Sequence, residues 1–272
     1  DRNFIPNDTL PHILGFNFYE GKATLASYVK TKINSRNSLK AGVFVNCFFV
    51  NFHDSVKINS LFDTLAGVIN QKTFKVREKT DASFYLIQPY VSFVHKFDDK
   101  LSLNTGVFTQ LLTLNNRYSI EPRASLRYQT SQRSVWSVAY GLHSQMQATY
   151  LYFAIPDSIV NNGVLVPNIQ RKTTNTNLDF SRSQHFVMGY DYMATCYFKI
   201  KTEVYHQYLC IVPVYFVPLG VSAINRGATF SRFFPIYTMV NNGTGYNYGL
   251  ELTLEKLYHR HYFFMMSGSL YN

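Results

Sequence analysis

The chain has 272 residues, of which 46% are hydrophobic and 15% are charged, whereas soluble domains carry about a quarter of charged residues. Its net charge of +10 is spread along the sequence without a dense basic run, which argues against nucleic-acid binding. No apolar run approaches the roughly 18 residues of a transmembrane helix. A helical membrane protein is therefore excluded, and strands remain as elements that could cross a bilayer.

Alternation of apolar and polar residues predicts strands along most of the chain. The first 21 residues hold Pro6 and Pro11 with little periodicity, and we interpret them as loop. The ten predicted strands cover about residues 22–33, 39–52, 82–96, 101–114, 121–129, 136–145, 185–192, 198–208, 246–255 and 262–271.

The connections between these strands alternate in length. Short polar turns are predicted at 34–38, 98–100, 130–133, 193–197 and 259–261, and long connections at 53–80, 147–183 and 209–245. A loop of medium length follows Asn115. In an antiparallel sheet this order places the short turns at one end and the long loops at the other, which is typical of an outer-membrane barrel.

Residues 241–245 read as a turn-rich loop that leads directly into a strand with one apolar and one polar face. Charged residues within the predicted strands share the face opposite the bulky apolar residues, where a water-filled lumen would accept them. The residues expected to face the lumen are Arg123, Arg127, Lys199, Lys201, Glu203, Glu251 and Glu255.

The sequence shows no enzymatic constellation and predicts no cofactor. Cys47, Cys196 and Cys210 are widely spaced and form neither a disulfide framework nor a CxxC metal site. The histidines are scattered, no HExxH or GxSxG motif occurs, and the glycines of 243–249 have the wrong spacing for a dinucleotide fingerprint. We therefore predict a binding or passage protein without a catalytic or metal site.

Several segments carry a family resemblance. Residues 184–192, 224–235 and 242–256, and less strongly 100–106 and 119–123, resemble the barrel of TonB-dependent outer-membrane receptors of the Bacteroidota. The resemblance implies a barrel of about 22 strands around an N-terminal plug. Residues 1–272 would then be a single partial domain, an all-β, antiparallel up-and-down transmembrane β-barrel section of about ten strands, with the plug domain absent.

The resemblance also implies a function. Such a receptor lies in the outer membrane of a Gram-negative bacterium, binds a ligand at its extracellular loops and imports it with energy from the TonB complex. The implied partners are outer-membrane lipid, the receptor's own N-terminal plug, the TonB complex through that plug, and a surface lipoprotein. The charged lumen residues would contact plug or water.

Ligand contacts are expected in the long loops, because loops on a rigid scaffold carry binding residues. From residue type, four side chains could grip an anionic or sugar-like ligand: Arg226, Arg232, Tyr215 and Tyr237. The alternative function is a soluble or surface-exposed β-rich module for carbohydrate binding or adhesion. The outward face of the strands separates the two, because lipid contact predicts an exposed apolar band ~25 Å tall and a soluble module would cover that face.

Overall fold

The computed structural model describes residues 14–57, 74–170, 172–217, 222 and 238–272. Its strands are β1 (Leu14–Lys32), β2 (Asn37–Lys57), β3 (Phe74–Lys96), β4 (Leu101–Leu112), β5 (Arg117–Gln129), β6 (Ser134–Gln145), β7 (Ser158–Asn161), β8 (Val164–Pro167), β9 (Ser181–Thr195), β10 (Phe198–Tyr215), β11 (Met239–His259) and β12 (Tyr262–Tyr271). The described helical elements are α1 (Thr149–Phe153) and a 3-10 turn (Asn175–Asn177).

Within the described ranges, ten strands form one antiparallel sheet in the order β1 to β6 followed by β9 to β12. Each strand pairs with its neighbour in this series, while β7 and β8 form a separate hairpin inside the connection between β6 and β9. This is an up-and-down arrangement, and it confirms the predicted section of an antiparallel β-barrel with about ten strands.

One face of the sheet, which we call the outer face, carries large apolar side chains that remain exposed. Leu25 and Val29 on β1 are each 71% exposed, and Ile120 on β5 is 57% exposed. No second sheet covers this face in the described part of the chain. Exposed apolar residues at every other strand position are the pattern expected where strands contact lipid. None of the helices among the described residues is long and apolar enough to cross a membrane.

The short turns lie together at one end of the sheet. They comprise residues 33–36, 97–100, 130–133, 196–197 and 260–261. In one of them the Asp98 carboxylate accepts hydrogen bonds of 2.7 Å from the backbone N–H groups of Lys100 and Leu101. These two bonds favour the ionised carboxylate and lower the pKa of Asp98 below its ordinary value. The four-residue turn 113–116 and the described connection between β6 and β9 lie at the opposite end, which we call the long-loop end.

The strands extend further toward the long-loop end than the sequence predicted. β1 begins at Leu14 instead of near Lys22, β2 continues to Lys57, and β3 already begins at Phe74. The predicted bounds were wrong because these extensions carry polar residues on both faces. Ladder hydrogen bonds to a neighbouring strand stabilise them in spite of their weak local pattern.

The predicted loop at 241–245 is also wrong, since these residues belong to β11 and pair with the end of β10. A Cβ atom on Gly243 would lie 2.5 Å from Val214 Cγ1 and 2.8 Å from the carbonyl oxygen of Val212. The glycine therefore permits close approach of the two strands. An Asn-Gly pair favours a turn in many sequences. In this chain the pair lies within a strand, opposite a register shift in β10.

Candidate functional site

The inner face of the sheet is the one opposite the exposed apolar residues. Strand register places all seven charged residues predicted to face the lumen on this one face. Direct cross-strand partners connect Lys30, Lys40, Ser92, Gly106 and Arg123 from β1 to β5. Contact of these charged residues with water or with a plug remains a prediction.

A row of mostly uncharged polar side chains crosses the inner face from β1 to β6. We call it the polar belt, and it consists of Thr24, Asn46, Gln88, Gln110, Glu121 and Ser144. Thr24 Oγ1 donates to Asn46 Oδ1 and Asn46 Nδ2 donates to Gln88 Oε1, both at 2.9 Å. Gln88 Nε2 in turn donates to Gln110 Oε1 at 2.9 Å. The donors and acceptors of the belt bond to one another, which indicates a rigid structural network rather than a ligand site.

Glu121 is the charged member of the polar belt and is 2% exposed. Its Oε1 accepts a 2.6 Å hydrogen bond from Gln110 Nε2 and another from the Ser144 hydroxyl. Its Oε2 lies 2.6 Å from Arg123 Nη2. Burying a carboxylate is costly unless it is paired and hydrogen-bonded, and these three donors satisfy that requirement.

Polar contacts continue along the inner face from β9 to β11. His185 Nε2 lies 2.8 Å from the Ser183 hydroxyl and 2.9 Å from Gln207 Nε2. Asn247 Nδ2 lies 3.5 Å from Gln207 Oε1. A distance of 3.5 Å is at the limit of a hydrogen bond, so the polar contacts between β10 and β11 are weaker than those of the polar belt.

A stack of aromatic rings lies on the inner face between the polar belt and the short turns. Tyr90 stacks between Phe44 and Phe108, with ring centroids 5.7 and 5.2 Å away. The Arg123 guanidinium carbon lies 4.2 Å from the Phe108 centroid and closes the stack. Because the inner rings face one another, their flat surfaces are already occupied by neighbouring rings.

The buried apolar core lies at the long-loop end, where the described residues of the segment 146–180 fold against the inner face. We call this segment the mouth loop. Its Phe153 ring lies 6.2 Å from Phe52 on β2 and 6.2 Å from Phe84 on β3. Tyr152 is fully buried, and its hydroxyl accepts a hydrogen bond from the Gln147 backbone N–H. Burial raises the pKa of Tyr152 to about 12.

The mouth loop is fastened to distant strands. Thr149 Oγ1 donates to the Glu20 carboxylate of β1 at 2.8 Å. Asn115, between β4 and β5, donates to the carbonyl oxygens of Thr176 and Leu178. On the far side, the backbone N–H of Met239 donates to Asn175 Oδ1 at 3.0 Å. Contacts with both β1 and β11 place the loop across the long-loop end of the sheet.

Of the four side chains predicted to contact a ligand, only Tyr215 lies among the described residues. Tyr215 is 8% exposed and belongs to the buried core at the mouth. Arg226, Arg232 and Tyr237 lie outside the described residues. Their role in ligand contact remains a prediction.

The polar belt was not predicted from the sequence, because five of its six members are uncharged and only charged strand residues were assigned to the lumen. The signal was present in the positions: the belt residues lie about ten residues from the nearest short turn of their strand, which is the length of a strand that crosses a bilayer. Among the described residues, no group of three or more histidine, cysteine or acidic side chains is placed to hold a metal ion.

No family model matches the sequence, and no curated protein matches it. Solved structures do resemble the fold. The FrpB iron transporter from Neisseria meningitidis (F5-1 variant) aligns with a TM-score of 0.59 at 11% identity, over 93% of this chain and 36% of the transporter chain. The copper transporter OprC aligns with a TM-score of 0.60 at 9% identity, over 98% and 40% of the two chains.

A third similar structure is the RagAB peptide importer, with a TM-score of 0.57 at 13% identity, over 95% of this chain and 30% of the importer chain. These neighbours are TonB-dependent receptors of the outer membrane. The chain therefore has the fold of a section of such a barrel, which confirms the resemblance at the level of the fold. It spans less than half the length of each of these chains, and its assignment to the Bacteroidota remains a prediction.

Proposed function

We propose that this chain is a barrel section of an active-transport receptor in the outer membrane of a Gram-negative bacterium. The observation that carries the proposal is the contrast between the two faces of one sheet. The outer face exposes Leu25, Val29 and Ile120, while the inner face carries the polar belt and the ion pair between Glu121 and Arg123. Similar structures that are named as iron, copper and peptide transporters support a transport role.

In this proposal the sheet is a passive wall and performs no catalysis. The ligand binds at the extracellular loops and passes through the plugged barrel with energy that TonB transmits through the plug. A surface lipoprotein is a further proposed partner at the mouth. Arg226 and Arg232, in the connection between β10 and β11, remain the proposed ligand contacts in the long loops.

Membrane location is tested by fractionating cells that produce the complete receptor. We expect the receptor in the outer-membrane fraction, with faster gel migration before boiling than after it, because a folded barrel stays compact in detergent. A receptor that is soluble without detergent would overturn the proposal and favour the soluble binding module.

Transport is tested by comparing the medium around three strains: the parent, a strain that lacks the receptor gene, and one that lacks the gene for TonB. A substance that the parent removes and both mutants leave behind is the expected result. If the parent and the receptor mutant deplete the medium identically, the transport function is wrong. Arg226→Ala/Arg232→Ala should then reduce uptake of that substance, with Arg260→Ala in a short turn as the control.

A further inference from the structure

Pairing between β5 and β6 stops partway along the two strands. The last pair toward the long-loop end is Arg123 with Gly141. Both strands continue beyond this pair, and each remains paired with its other neighbour. We call the unpaired stretch, residues 117–122 of β5 and 142–145 of β6, the seam. The seam is thus an interruption between two strands whose other pairings are intact.

The sequence supplies a reason for the end of pairing at this position. Pro122 has no backbone N–H, so it cannot donate the hydrogen bond that a pair with Leu142 would need. Proline alone does not end a ladder, because pairing between β3 and β4 resumes beyond Pro89 at Ile87. At the seam no further pair forms before β6 ends. The interruption therefore needs other contacts to hold the two strands together.

Side chains bridge the seam in place of a ladder. Gln110 Nε2 of β4 donates to the backbone carbonyl oxygen of Ser144 at 2.7 Å. The Ser144 hydroxyl donates to the buried Glu121 carboxylate. Arg182 Nη2 of β9 donates to the backbone carbonyl oxygen of Tyr118 at 3.4 Å. We call these three contacts the latch.

The latch holds the strands less firmly than a ladder would. The contact between Arg182 and Tyr118 is near the distance limit of a hydrogen bond, and the Arg182 side chain is 37% exposed. Long side chains such as glutamine and arginine also lose rotamer freedom when they are held in one geometry. We therefore expect the seam to separate more easily than the paired parts of the same strands.

In a sheet that spans a bilayer, the seam lies at lipid depth. Pro122 is seven residues from Gln129, where β5 ends at a short turn, and this corresponds to about 23 Å along the strand. About ten residues of a tilted strand cross the hydrocarbon core. The seam therefore begins inside the core and reaches its boundary at the long-loop end. Backbone groups without partners are costly at this depth, which explains why polar side chains close the seam.

We propose that the seam is a lateral gate, at which β5 and β6 move apart when the latch contacts break while the paired parts of both strands stay together. The opening connects the inner face with lipid in the half of the bilayer nearer the long-loop end. Tyr118 and Ile120 border the seam and are 64% and 57% exposed, so no described residue covers it from outside. The inference goes beyond the proposed transport function and requires only that the sheet spans a membrane.

The test measures distances between pairs of nitroxide spin labels by double electron–electron resonance. The complete receptor is used in isolated outer membranes, with its native cysteines replaced by serine. Labels at Ile120→Cys/Leu142→Cys report on the seam. The matched control is Ala124→Cys/Val138→Cys, which has the same diagonal offset in the paired part of β5 and β6. We expect a longer second distance across the seam and one narrow distance in the control pair.

The latch is tested in the seam-labelled receptor. Gln110→Ala/Arg182→Ala should raise the fraction of receptors with the longer distance at least threefold, because two of the three latch contacts are lost. Asn46→Ala is the control, since Asn46 belongs to the polar belt but bonds to β1 and β3 instead of the seam. Heat-modifiable migration verifies folding. Gln110→Ala alone, with a smaller rise expected, replaces the double variant if that variant does not fold.

Three results would overturn the inference. One is the absence of a longer distance across the seam in the parent and in the latch variant. The others are an equal second distance in the control pair, which would indicate loosening of the whole sheet, and an equal rise in Asn46→Ala. Label distances do not depend on import, so failure of the gate leaves the proposed transport function intact. A gate that opens in a receptor that imports nothing refutes transport instead.

Discussion

Docking of the mouth loop can be weakened by one substitution, Phe153→Ala. Phe153 is 7% exposed, and its ring contacts Phe52 and Phe84 on the barrel wall. Truncating a buried phenylalanine costs about 3–5 kcal/mol. The strand ladder does not depend on this ring, so the cost should fall on docking of the loop. A loss of about 3 kcal/mol corresponds to roughly a hundredfold faster amide exchange within the loop.

Hydrogen exchange with mass spectrometry on the detergent-extracted receptor measures this effect. The control is Ile169→Ala, in the same loop, because Ile169 is 87% exposed and its truncation leaves no cavity. We expect faster exchange in residues 146–180 for Phe153→Ala and no change for Ile169→Ala. Unchanged exchange in both variants, or equal acceleration in strands and loop, would refute the view that the ring fastens the loop to the wall.

Three further predictions follow from the described contacts. Burial holds the pKa of Tyr152 at about 12, above its ordinary 10.0, so the neutral hydroxyl stabilises the docked loop below pH 10. This contribution of ~3 kcal/mol is lost as the pH rises from about 10 to about 12. Loop exchange measured across this range should lose that pH dependence in Tyr152→Phe, and a pH dependence retained in this variant would contradict the assignment. Gly243→Ala should destabilise the barrel by about 1–3 kcal/mol because its Cβ would meet backbone and side-chain atoms of β10. Gly268→Ala, with open space around it, should not, and equal melting on a heat-modifiability gel would refute the argument. Glu121→Gln should cost about 2 kcal/mol, since an NH2 group replaces one carboxylate oxygen and removes the anionic partner of Arg123. Glu255→Gln is the control in the same melting assay, because Glu255 forms no ion pair with a described residue, and equal melting of the two variants would count against the belt.

The contacts on the inner face of the sheet indicate what its parts do. The polar belt and the aromatic stack are occupied by their own contacts, so they favour a rigid scaffold. Ligand selection is proposed for the long loops, of which residues 58–73, 171, 218–221 and 223–237 lie outside the described structure.

The sequence by itself determined the class of fold and the faces of the strands. Period-two alternation survives in β5 and in β11, because each side chain there meets either an apolar or a polar environment. The order of short and long connections was also readable, since turn residues such as Asp98 fix the reversal locally. These features depend on neighbours in sequence, and the structure agrees with them.

Tertiary structure decided what depends on partners distant in sequence. Gly243 reads as a turn residue, yet pairing with β10 makes it part of a strand. The polar belt joins Thr24 to Ser144 through residues separated by up to 42 positions, and no local pattern encodes such a row. The mouth loop packs Phe153 on β2 and β3 because folding brings distant apolar residues together, and burial there excludes water from the ring.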